Sequence, residues 1–225
     1  MSEAELVTPG IRRPTWAFQS WLRAESLDGL AELNEQCLEL LCEQATAGAG
    51  RPRPALLATL EPLWRALDAS VRRRAARCPF LLLDAGFARA AYRRWPTSRG
   101  VHDRGDEFPY PHSAAFFTVP RTVAVTRLVL TYAWHLARSE SVAARLFLGM
   151  SPVCAERVAA CTLRQVIQLA ENEPRLLAPR WPDRLHVWRD LLVAASGADA
   201  AGMERFCMRG LQLLAADARS GDQGE

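Results

Sequence analysis

Five polar side chains gather in one short stretch: His102, Asp103, Asp106, Glu107 and His112. Imidazoles and carboxylates are the groups that ligate metal ions or move protons. Their spacing matches no ligand set, and the glycine and prolines around them give no rigid frame for such a site. The six cysteines, Cys37, Cys42, Cys78, Cys154, Cys161 and Cys207, form no CxxC pair and sit mainly in apolar stretches. That usage fits small buried thiols in a reducing compartment better than zinc ligands. Glycine-rich phosphate loops, nucleophile elbows and zinc-protease signatures are missing. No catalytic residue, metal ligand or cofactor-binding residue is therefore assigned, no small-molecule substrate is identified, and enzymatic activity is not expected.

A second chemistry is carried by arginine. All 28 basic residues are arginine, and the net charge is +3. The charge is unevenly spread. Residues 1–50 hold three Arg against eight acids, a balance of −5, and residues 51–104 hold twelve Arg against four acids, a balance of +8. Arg72, Arg73, Arg74 and Arg77, followed by Arg93 and Arg94, could neutralise phosphates or meet another acidic partner. The same arginines could instead pair with the acidic segment 26–44 inside one fold, since a charge run is commonly a solvated face.

These residues must be positioned by helices. Apolar content of 49% is enough for a core of ordinary size. Leu27, Leu30, Leu33, Cys37, Leu40 and Leu41 recur at helical spacing after a cap at Ser26. Residues 46–54 read as a turn-rich connector. A helix is expected through residues 60–78, ended by Pro79, with a further helix from Phe80. Pro, Gly and aromatic residues make 96–120 a long irregular loop. Helical periodicity returns at Thr122. It stops at Gly149, which suits the left-handed position past a helix end. Ser151-Pro152 restarts it, and Thr162 with Gln165 spells a capping box. Asp199 is expected to cap a last helix. Trp64, Phe80, Trp134, Phe147, Ile167, Trp188 and Phe206 lie on apolar stripes and are expected in the core.

The expected fold is all-α: a multi-helix globular bundle of short helices with a long irregular loop near 96–120. Its organisation reads as an N-terminal arm (1–25) bearing Trp16, Phe18 and Trp21, then a helical N-terminal region (26–120) that is basic at 51–104. A second helical region (121–217) and a frayed tail (218–225) follow. The N-terminus lacks a signal-peptide core and no uncharged apolar run reaches a membrane span, so a cytoplasmic protein without membrane contact is expected.

Residues 152–160 and 162–172 could form a helix-turn-helix. Leu163, Val166, Ile167 and Ala170 would face the core, leaving Arg164, Gln165, Gln168 and Asn172 exposed. Arg164 and Gln168 are suitable for base edges. Glu171 and Glu173 would repel phosphates, and the turn lacks glycine, so a purely structural helix pair is the other reading.

The order of elements from Leu128 to Trp181 resembles the FlhD subunit of the flagellar master transcriptional activator. The likeness lies in LVLTYAWHLA, in Phe147-Leu148-Gly149, in Ala159-Ala160, in Thr162-Leu163 with Gln165, and in Leu169-Ala170-Glu171. It implies an all-helical transcriptional regulator that dimerises or acts with a partner subunit, with DNA as a further partner. The Thr122–Arg138 helix is apolar on more than one side, so it needs cover from the fold, a second subunit or the N-terminal region. The alternative is a helical adaptor or assembly factor without DNA binding or catalysis.

Overall fold

The computed structural model describes residues 24–47, 53–87, 115–197 and 200–222. Among them are ten α-helices and one pair of two-residue strands, so the helical expectation holds.

The first helix, α1 (Ala24–Thr46), is the divider of the molecule. On one side it packs against α2 (Ala55–Thr59), α3 (Glu61–Arg65) and α4 (Ala69–Ala76). On the other it meets α5 (Thr122–Ser139). Its start is pinned there: the Tyr132 hydroxyl donates to the Ser26 carbonyl at 2.5 Å, and Ser26 Oγ donates to Glu140 at 2.9 Å. Near its other end, Gln44 holds both the N–H and the hydroxyl of Thr118.

Helix α5 then serves as a platform. It is packed by α6 (Ser141–Leu148), α7 (Pro152–Ala160) and α8 (Leu163–Asn172) as well as α1. This covers most of a helix that is apolar on several sides, although Leu128 stays exposed. Helix α9 (Leu185–Ser196) covers α2, α3 and α4, and α10 (Ala200–Asp222) covers α9 and α6. Trp64 and Trp188 stack at a tilt, 5.8 Å between ring centres, and tie α3 to α9.

Three of the expected signals form as read, whereas Ser26 is no cap: α1 already runs from Ala24, and the Ser26 hydroxyl donates to Glu140 instead. Gly149 has φ +64°, Ser151 Oγ accepts from the Cys154 N–H with Pro152 in the first turn, and Thr162 and Gln165 make both bonds of the capping box.

Other expectations are corrected. The helix expected through 60–78 is two helices, because the Asp68 carboxylate accepts from the Ser70 and Val71 N–H groups and founds a new N-terminus. Leu67, in the break, turns into the core. The helix expected from Phe80 is extended as far as it is described. Phe80, Leu81, Leu82, Leu83, Ala85 and Phe87 are all buried, and a chain buried on every side has no amphipathic face to show. Its strand β1 (Leu83–Asp84) pairs antiparallel with β2 (Ala178–Pro179). Helix α10 continues to Asp222, through residues expected to be a frayed tail. Trp64, Phe80, Phe147, Trp188 and Phe206 are core residues, whereas Trp134 and Ile167 are half-buried. Trp134 keeps one edge outward, where Arg138 lies over its ring, while its Nε1 donates to the Cys161 carbonyl.

The expected arm, most of the 96–120 loop with its histidines and acids, and Asp199 lie outside the described residues. Among the described residues no helix is long and apolar enough to cross a membrane.

Candidate interaction surfaces

The buried segment 80–82 is where the two halves of the molecule meet. Asn34, on α1 and fully buried, donates from Nδ2 to the carbonyls of Ala76, Cys78 and Phe80, and its Oδ1 accepts from the Leu82 N–H at 2.9 Å. From the opposite side Arg180 donates through Nε to the Leu81 carbonyl at 2.6 Å and through Nη2 to the Leu148 carbonyl. Burial disfavours the Arg180 cation and lowers its pKa, and the charges of Asp84 and Asp217 oppose that shift. The bonds named here all go to backbone groups. This is an architectural centre, sealed from solvent, and not a reaction site.

The sequence-derived arginines fall on α4. Its Val71, Ala75 and Ala76 are buried, which turns Arg73, Arg74 and Arg77 outward. Arg72 is half-buried and donates from Nη1 to the Leu67 carbonyl at 3.0 Å. Arg73 Nε lies 4.0 Å from Glu35 on α1, a long contact between an exposed arginine and a half-buried carboxylate that carries little stability. The stronger link to the acidic helix is made by Arg121, with Gln36 at 2.6 Å and Glu39 at 3.0 Å. The charge pattern could not single out Arg121, since it stands outside the basic run. Arg93 and Arg94 lie outside the described residues.

Arg164 and Gln168 are both exposed, one turn apart on α8. Glu171, expected to repel phosphates, is bound to Arg127 of α5 at 2.7 Å. Leu163 does not face the core: it is 44% exposed, and Leu169 takes the buried position beside Val166 and Ala170. Helices α7 and α8 each rest on α5. The α4 arginines and the α8 pair are not brought together, for α4 packs on α1 and α9 while α8 packs on α5.

Large apolar side chains are exposed at Leu128, Val142, Leu146, Val153 and Leu163 in α5–α8, and at Val193 and Met208 in α9–α10. Four cysteines are poor nucleophiles. Burial pushes the thiol of Cys42 up to about 11, that of Cys154 to about 12 and that of Cys161 to about 11, and raises Cys37 further. Among the described residues no group of three or more His, Cys, Asp or Glu is placed to hold a metal ion.

Asn34 was discoverable from sequence. It is a polar residue one helical turn from both Leu30 and Leu38, on the apolar stripe itself. Arg180 gave no such signal.

Comparison of the chain with protein-family models, curated proteins and solved structures finds no match.

Proposed function

We propose that this chain is a helical regulatory protein that acts by docking a protein partner on its α5–α8 layer, the region whose sequence resembles FlhD. The observation that carries the reading is the placement of exposed apolar side chains. Five of the seven large ones among the described residues, Leu128, Val142, Leu146, Val153 and Leu163, belong to this layer. Apolar side chains on a surface favour association when they are covered by a second apolar surface. The resemblance to FlhD points to a second copy as the first partner, since that family forms homodimers.

Sedimentation of the full chain tests this. A dimer is expected for the native sequence, and Val142→Glu with Leu146→Glu should shift it to monomer without loss of helix signal. A native chain that stays monomeric up to high concentration would remove the homodimer reading and leave the adaptor reading, with a different partner.

Direct DNA contact is the second reading, favoured by Arg164 and Gln168 on one exposed face of α8. Gel-shift experiments at low salt test it. Binding that weakens steeply with salt, and that Arg164→Ala or Gln168→Ala reduces, supports it. No shift on any duplex, with the dimer intact, would favour the adaptor.

A further inference from the structure

We propose that the contact between Trp181 and Asp217 is a latch that holds the C-terminal half of α10 shut over Arg180, and that releasing it frees this half of the helix while the rest of the fold stays closed. Trp181 lies between β2 and α9 with φ +50°, the only non-glycine residue with a positive φ among the described residues. A left-handed backbone is costly for so bulky a residue and persists only where the surroundings fix it. Pro182 follows. A residue before proline is steered away from the right-handed helical region, so the relaxed form of Trp181 is extended.

The chain is fixed on both sides of this residue. The Arg180 N–H donates to the Leu82 carbonyl at 3.0 Å, the Arg180 carbonyl accepts from Trp188 Nε1 at 2.7 Å, and the Arg184 N–H donates to the Trp181 carbonyl at 3.0 Å. The left-handed turn between them aims the indole at α10. Its ring stands edge-on to that of Phe80, 5.9 Å between centres, and its Nε1 donates to Asp217 Oδ2 at 2.6 Å. An extended Trp181 would turn the indole elsewhere and break that bond.

Helix α10 is seated unevenly. Its first half is held by Phe206 against Phe80 and by the ion pair of Arg209 with Asp190 at 2.5 Å. Beyond Gly210, Leu214 is the one fully buried side chain among those described. It covers Gly149, where an added Cβ would fall 2.9 Å from Leu214 Cδ2 and 3.2 Å from Arg180 Nη1. Asp217 is the hold that follows. Its other oxygen lies 3.6 Å from Arg184 Nη2, a longer contact between part-exposed groups that carries little weight. The closed state therefore sets one charge-assisted hydrogen bond against the strain at Trp181 and against the hydration that the buried Arg180 cation regains on opening. Two discrete arrangements, a left-handed Trp181 with α10 shut and an extended Trp181 with its C-terminal half free, are separated by that bond.

Hydrogen–deuterium exchange of the full chain, read peptide by peptide in a mass spectrometer, tests the latch. In Asp217→Ala and in Trp181→Phe, amides after Gly210 should exchange about ten- to a hundredfold faster than in the native chain, the factor that loss of a hydrogen bond to a charged group implies. Those of α1 and α5 should keep their native rates. Both substitutions remove the same bond, so the double variant should exchange no faster than the faster single one. Asp217→Asn keeps an acceptor oxygen for the indole and should stay closer to the native rate than Asp217→Ala. Unchanged exchange after Gly210, an equal rise throughout the chain, or additive effects in the double variant would each overturn the proposal.

Discussion

The guanidinium of Arg180 caps the last carbonyl of α6, that of Leu148. A cation at a helix C-terminus is favoured by the helix dipole and satisfies a carbonyl that has no partner within its helix. Because Arg180 also holds the Leu81 carbonyl, one side chain joins α6 to the buried segment. Arg180→Met keeps the apolar stem but leaves two buried carbonyls without donors. Each such orphan costs about 1–3 kcal/mol, so the variant should unfold at clearly lower urea. Arg180→Lys should fall in between, since one ammonium cannot reproduce the planar fork. A methionine variant as stable as the native chain would show that these bonds are dispensable.

Asn34 makes the complementary hold from α1. Asn34→Leu should be destabilised by at least about 3 kcal/mol, because three carbonyls and one N–H lose their partner together. Asn34→Asp gives a sharper readout. A carboxylate would face three carbonyl oxygens, so its folded pKa must rise above the unfolded value of about 3.9. Its penalty relative to the native chain should grow as pH rises above about 4 and shrink below it. A stability difference independent of pH would contradict this environment for residue 34.

Local signals were legible, and long-range ones were not. Gly149, Ser151-Pro152 and Thr162 with Gln165 act within a turn of themselves, so the residue types suffice to place the helix ends. The run from Phe80 to Phe87 was misread as helix because a short apolar run has no period that tells strand from helix. Its shape is fixed by Asn34, 48 positions from Leu82, and by Arg180, 99 positions from Leu81. The break at Asp68 was hidden because Leu63, Trp64, Leu67 and Val71 keep helical spacing across it. The surfaces follow the same rule. Exposure of Arg164 and Gln168 came from periodicity, but the partners of Arg121 depend on which elements become neighbours.

Asp68 should leave a signature in acid. The hydrogen bond from the Val71 N–H, then the bond with Ser70, holds its carboxyl below the ordinary carboxylate value. A group with a depressed folded pKa contributes stability above its unfolded pKa and loses it as pH falls through the folded value. Asp68→Asn can still cap the helix without titrating. The gap between native and Asp68→Asn chains should therefore shift in favour of the asparagine variant as pH drops below about 4. Urea midpoints taken along an acid series measure it. Parallel curves for the two proteins would mean that the capping bonds do not distinguish the ionised carboxylate.

Gly210 offers a test in which local and tertiary physics oppose each other. It lies inside α10, where alanine is intrinsically better than glycine by about 1 kcal/mol. On helix propensity alone, Gly210→Ala should stabilise the protein. The packing says the reverse, for the added Cβ would sit 2.2 Å from Phe80 Cζ and 2.3 Å from Cε1. Phe80 is fully buried between Trp181 and Phe206 and cannot swing away freely. Overpacking of this kind typically costs about 1–3 kcal/mol, so a net loss of stability is expected. Phe80→Leu removes the ring and is itself destabilising, but in that background Gly210→Ala should cost less or become favourable. The double-mutant cycle measures this coupling directly. Additive effects, or a Gly210→Ala chain that melts above the native one, would show that α10 does not rest on Phe80 at this point.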